Sequence, residues 1–124
     1  DRLYNMFAEH SIEATGMNGL ANEPIAFEIQ NENKLIGAIV AQIFWGQLHI
    51  KYLVVDKEFR KQGIATRLMH RMLEFGKSQG CGFVYVETLS FQAPDMYKKM
   101  GFKEDFKREG FAKNTSFHYL SMQL

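Results

Sequence analysis

The chain has 124 residues, enough for one domain with a single core and too few for two. Fifteen basic against fourteen acidic side chains leave a formal charge of +1, so no general electrostatic footprint for nucleic acid or a membrane surface is present, and 46% hydrophobic residues exclude a disordered chain. A single cysteine, Cys81, excludes an internal disulfide framework and fits a reducing compartment; with no apolar stretch long enough to span a bilayer and no secretory pattern, a cytoplasmic location is expected. Because the sequence opens on Asp1 and not on Met, a trimmed start is expected.

Arg2 to Thr15 carries Leu3, Met6 and Phe7 on one side, the spacing of a short amphipathic helix that ends near Gly16. Gly16 to Pro24 is small and turn-forming, a loop placed to border a substrate. Ile25 to Gln30 alternates as a strand, Asn31 to Lys34 turns the chain into a longer strand from Leu35 to Phe44, and Trp45-Gly46-Gln47 turns it again into Leu48 to Val55. Three antiparallel strands therefore precede the central stretch. After a charged turn, Ala65, Leu68, Met69, Met72 and Leu73 recur at helical spacing and predict a helix to about Ser78. Cys81, between Gly80 and Gly82, reads as a small buried residue at the helix-to-strand turn, with a nucleophilic thiol as the other reading. Phe83 to Thr88 is the next strand, parallel to Leu48–Val55 through a right-handed crossover. A second helix is predicted from Ala93 to Met100, and Phe102 to Phe111 and Ser116 to Leu124 close the chain as strands around Lys113-Asn114. The fold class is α+β: one domain, a mixed and mostly antiparallel sheet whose central parallel pair splays into a crevice, flanked by helices.

The junction of strand and helix is an anion site in outline. The first amides of a helix have no partner inside it, and the dipole adds partial positive charge there. Arg60, Lys61, Gln62, Gly63, Ile64 and Ala65 lead into it, with Gly63 letting the backbone approach a ligand and Arg60 and Lys61 adding charge. The implied guest is a phosphate or pyrophosphate. Neither GxxxxGK[ST] nor GxGxxG is present. About thirty residues beyond, Ala93 stands four positions before Tyr97, followed by Lys98, Lys99, Gly101 and Phe102.

Arg60-x-x-Gly63-x-Ala65 together with Ala93-x-x-x-Tyr97, the basic pair and Gly101-Phe102 resembles the GNAT superfamily of N-acetyltransferases. The resemblance spans Ile25 to about Phe111, and Glu87 to Ala93, Glu-Thr-Leu-Ser-Phe-Gln-Ala, is similar to a bacterial subset that includes blasticidin-type enzymes. By this resemblance the first strand of the full fold is expected to be absent from Asp1 onward. Where many relatives have an asparagine that contacts the pantetheine arm, this chain has Ser90, leaving that contact to Ser90 or Gln92.

The resemblance implies acetyl-CoA as co-substrate and direct transfer to a primary amine of a small molecule or peptide in a ternary complex. It places the pantetheine on the backbone of Leu53, Val54 and Val55, and the pyrophosphate on Arg60, Lys61, Gln62, Gly63, Ile64, Ala65 and Thr66, with Ser90 and Lys99 as further cofactor contacts. Tyr97 is the expected general acid. His49 and Glu87 are the two candidate bases, a water chain being the third option, and strand alternation puts His49 on the face of Lys51, Leu53 and Val55 unless a bulge intervenes. His10, His70 and His118 have no companions at metal-ligand spacing and read as surface or packing residues, so no metal is expected. A silent acyl-CoA-binding module is the alternative function. Family members are often dimers, which leaves a homodimer open, and no nucleic acid or membrane partner is expected.

Overall fold

A computed structural model of the chain describes residues 1–20, 22–92 and 94–124. Ala93, expected to start the tyrosine helix and to belong to its motif, lies outside them. The elements follow in the order α1 (Arg2–Thr15), β1 (Ile25–Asn31), β2 (Lys34–Phe44), β3 (Gln47–Val55), α2 (Ile64–Ser78), β4 (Phe83–Leu89), α3 (Pro94–Lys99), β5 (Lys103–Ala112) and β6 (Thr115–Gln123). The sheet is ordered β1-β2-β3-β4-β6-β5, with β3 and β4 its parallel pair and its other neighbours antiparallel. This is the expected α+β architecture with the parallel pair in the middle.

Two tight turns make the first three strands. Glu32 and Asn33 both take positive φ, as do Trp45 and Gly46. Such turns match the twist of the strands they join, and here they set the register on either side of β2. That register carries one break. Val40 pairs with Tyr52 while Ala41 pairs with Ile50, leaving Lys51 as the extra residue of a bulge in β3. Leu48 and Ile50 before the bulge are fully buried, and Leu53 and Val55 after it pack on the same core. His49 therefore lies on the opposite face from Leu53 and Val55, so the simple alternation expected for it is corrected by one inserted residue.

The core sits between one face of the sheet and α2. Leu68, Met69 and Met72 of α2 bury against Ile39, Ala41, Leu48, Ile50, Val84, Val86 and Leu120. Gly37 lets the helix approach: a Cβ there would stand 2.9 Å from Cγ2 of Ile64. The guanidinium of Arg71 lies 4.3 Å from the ring centroid of Phe27, so the predicted solvated helix face partly covers an aromatic side chain. Leu48→Ala is expected to cost about 2–5 kcal/mol, because the side chain is fully buried and its neighbours cannot close the cavity; chemical denaturation with an unchanged m-value checks it.

Helix α1 is capped at both ends, by the Asp1 side chain accepting from the Tyr4 amide and by Gly16 in the left-handed region. Its apolar side does not reach the core: Leu3 and Met6 remain 70% and 65% exposed, while Ser11 is buried and the Phe7 ring meets Trp45 edge-on. Among the described residues no helix is long and apolar enough to cross a membrane.

Candidate active site

Pairing between β3 and β4 stops early. Leu48, His49 and Ile50 pair with Val84, Tyr85 and Val86, and beyond them the strands diverge, at the place where the bulge bends β3. On the helix-covered face this divergence opens into a cleft of about 960 Å³ between the end of β3, the start of α2 and α3.

The loop before α2 takes a shape in which its first amides are free of helical partners. Gly63 caps α2 with φ 79° and offers no side chain, and the first helical bond runs from the Arg67 amide to the Gly63 carbonyl at 3.0 Å. The amides of Ile64, Ala65 and Thr66 therefore precede the first bonded turn, beside Lys61, itself at φ 62°. Arg60 donates its Nε to the Val55 carbonyl at 3.3 Å, tying the loop to the end of β3. Of the expected cofactor residues, Leu53, Val54, Val55, Arg60, Lys61, Gly63, Ile64, Ala65, Thr66 and Lys99 line the cleft.

Gln62 and Ser90 are not among the lining residues. The Ser90 hydroxyl accepts from the Ser116 amide at 3.1 Å, whereas Gln92 does line the cleft and its Oε1 accepts from the Leu89 amide at 3.0 Å. Sequence reasoning missed the apolar lining by Phe59, Met69, Leu73, Met96 and Met100, which Phe91 joins. It also took His70 for a surface or packing residue, although His70 faces the cleft. The available signal was helical spacing, since Thr66, Met69, His70 and Leu73 follow one another along the same side of α2.

On the other face of the sheet the two candidate bases are neighbours. Nε2 of His49 approaches Oε1 of Glu87 within 3.4 Å. The imidazole stacks on Tyr85 at 4.4 Å and 7°, and Tyr85 stacks on Tyr119 at 5.5 Å. Register explains the stack: His49 pairs with Tyr85 across the parallel ladder, and Glu87 pairs with Tyr119 across β4 and β6. Burial pushes the His49 pKa below its ordinary 6.5, Lys51 adds to this, and Glu87 opposes it. A neutral imidazole at neutral pH results.

Tyr97 is buried on α3, its ring edge-on to Phe102 at 5.6 Å, and it is not a lining residue of the cleft. Burial raises its pKa, so the phenol keeps its proton at neutral pH.

The sequence profile of the acetyltransferase (GNAT) family matches residues 4–102. The chain belongs to that family. It is similar to blasticidin-S acetyltransferase of Streptomyces morookaense, 30% identical over 92 residues that make up 73% of this chain and 68% of that one. Among solved structures, an acetyltransferase from Bacillus cereus superposes with a TM-score of 0.87 at 27% identity, over 99% of this chain and 89% of the other. A Bacillus anthracis protein solved as a streptothricin acetyltransferase in complex with acetyl coenzyme A shares the fold at 23% identity and TM-score 0.75, over 83% and 64% of the two chains. As a GNAT protein, the chain is an acetyl-CoA-dependent N-acetyltransferase.

The residues present fit acetyl-CoA. Uncapped amides and two cations stand where a pyrophosphate needs donors, and the half of β3 that has left β4 offers a strand edge beside an apolar cleft.

Proposed function

We propose that this GNAT chain acetylates a primary amine of a small molecule or peptide in a ternary complex, with acetyl-CoA on the helix-covered face and the acceptor on the face of His49 and Glu87. One observation carries the reading: the His49–Glu87 pair sits where the β3–β4 pairing ends, and the cleft lies along the part of β3 that follows. A thioester held along Leu53–Val55 would present its carbonyl carbon through that gap. Direct attack then needs no covalent enzyme intermediate.

In this reading the amine nitrogen attacks the thioester carbonyl, and His49, neutral at neutral pH, takes the proton the nitrogen loses. The Glu87 carboxylate draws in a cationic acceptor and steadies the imidazolium that forms. As the carbon–sulfur bond breaks, the departing thiolate takes the Tyr97 phenol proton. Arg60, Lys61 and the amides of Gly63 to Thr66 hold the pyrophosphate, while Lys99 adds charge from α3. The stacked rings of His49, Tyr85 and Tyr119 favour an acceptor with a flat or apolar part next to its amine.

The free thiol of Cys81 supports a reducing, cytoplasmic setting, and the near-zero net charge supports no nucleic-acid partner. The apolar side chains exposed on α1 are the surface a homodimer would bury.

The test is the pH dependence of thiol release from acetyl-CoA with benzhydrazide, whose amine stays unprotonated across the range. Because the folded His49 pKa is depressed, the base stays neutral below the usual histidine range, and activity is expected to fall only below pH 6.5. His49→Gln is expected to lose about 10²-fold in kcat and the acid limb with it. An acid limb that persists unchanged in His49→Gln assigns the base elsewhere.

A further inference from the structure

A second polar cluster lies on the helix-covered face, and the chemistry above does not use it. His118 and Ser116 of β6 are both buried. Nε2 of His118 and the Ser116 hydroxyl are 2.8 Å apart, and Nδ1 of His118 bonds the carboxylate of Glu104 on β5. Both ring nitrogens are thus engaged, one on each side. From Glu104 the chain of contacts continues to Nζ of Lys98 on α3 at 3.7 Å, and from Ser116 it continues through its amide to the Ser90 hydroxyl. Ser90 opens the turn Ser90–Gln92, which leads towards α3.

A nucleophilic role for Ser116 is disfavoured by its burial and by its backbone, whose amide is already spent on Ser90. The geometry points instead to the segment that the network brackets. One branch ends on the turn before α3, and the other on the residue that follows Tyr97. Between them Phe91, Gln92, Asp95 and Met96 line the cleft, and Tyr97 packs on Phe102.

We propose that His118 is a positioning residue for Tyr97, acting through Glu104 and Lys98 on one side and through Ser116 and Ser90 on the other. It rests on the reading of Tyr97 as the proton donor. The Lys98–Glu104 contact is partly solvent-exposed and weak on its own, so the buried His118 links carry most of the constraint. Removing the imidazole leaves Glu104 and Ser116 without that partner, and their rearrangement loosens both ends of the tyrosine segment.

The experiment is a double-mutant cycle on thiol release from acetyl-CoA, with benzhydrazide and with water as acceptors, in the wild type, His118→Leu, Tyr97→Phe and the double variant. His118→Leu is expected to lower kcat about tenfold with little change in the KM for acetyl-CoA, and to add less than about twofold once Tyr97 is phenylalanine. His118→Gln, which can still donate to Glu104 and accept from Ser116, is expected to recover most of kcat. If His118→Leu does not fold, Glu104→Gln enters the same cycle. A slow Tyr97→Phe with multiplicative His118 effects, or no His118 effect, overturns this inference alone. A Tyr97→Phe enzyme with wild-type kcat overturns the acid assignment and the inference with it.

Discussion

Gly63→Glu is expected to remove acetyl-CoA binding at concentrations that saturate the wild type, with a loss of at least about 10²-fold in affinity by titration calorimetry. A Cβ at this position meets nothing within 4 Å, so the side chain has room and the fold is retained. The backbone is less tolerant, since φ of 79° costs a non-glycine residue about 1–2 kcal/mol. The larger effect is charge. A carboxylate set among the amides of Ile64 to Thr66 and the cations of Arg60 and Lys61 satisfies them itself and repels a pyrophosphate. At an effective dielectric near 20, two like charges about 4 Å apart repel by about 4 kcal/mol, enough for the stated loss. Near-wild-type affinity in a folded Gly63→Glu would remove the loop from the cofactor site.

Tyr97→Phe is the second large effect, a fall of about 10²-fold or more in kcat with the KM for acetyl-CoA little changed. Phenylalanine keeps the edge-on packing against Phe102, so the variant is expected to unfold at nearly the wild-type midpoint. What it loses is a phenol whose raised pKa keeps it protonated throughout the neutral range. The same shift sets the pH dependence: any alkaline limb owed to Tyr97 lies above its ordinary value of 10 and disappears in the phenylalanine variant. An alkaline limb well below that value which survives Tyr97→Phe assigns the proton donor to another group.

Local chemistry made much of this fold legible. The turns at Glu32-Asn33 and Trp45-Gly46 each carry one residue that favours positive φ, Asn33 and Gly46, and α2 shows its buried side at helical spacing. The anion loop was legible for the same reason, because Gly63 and the uncapped helix start are neighbours in sequence. Long-range relations were not. No local pattern announces that β6 inserts between β4 and β5, and β5 has no buried residue to betray its inner face. The bulge at Lys51 reverses the facing of everything after it, yet it depends on how β2 and β3 pair and not on either strand alone. Ser90 is the same kind of case: its partner Ser116 is distant in sequence and adjacent only once β6 lies beside the turn. The pairing of His49 with Glu87 likewise needed the β3–β4 register, since either residue alone was only one of several possible bases.

The most direct measurement is a crystal structure of the acetyl-CoA complex. The expected result has the pyrophosphate on the amides of Gly63 to Thr66, the pantetheine along Leu53–Val55, and the thioester in the gap beyond Ile50 and Val86. Its carbonyl carbon should be open to an amine about 3–3.5 Å away on the face of His49 and Glu87. A thioester enclosed on the helix-covered face, with intact sheet between it and that pair, would contradict the assignment of both bases and of the acceptor side.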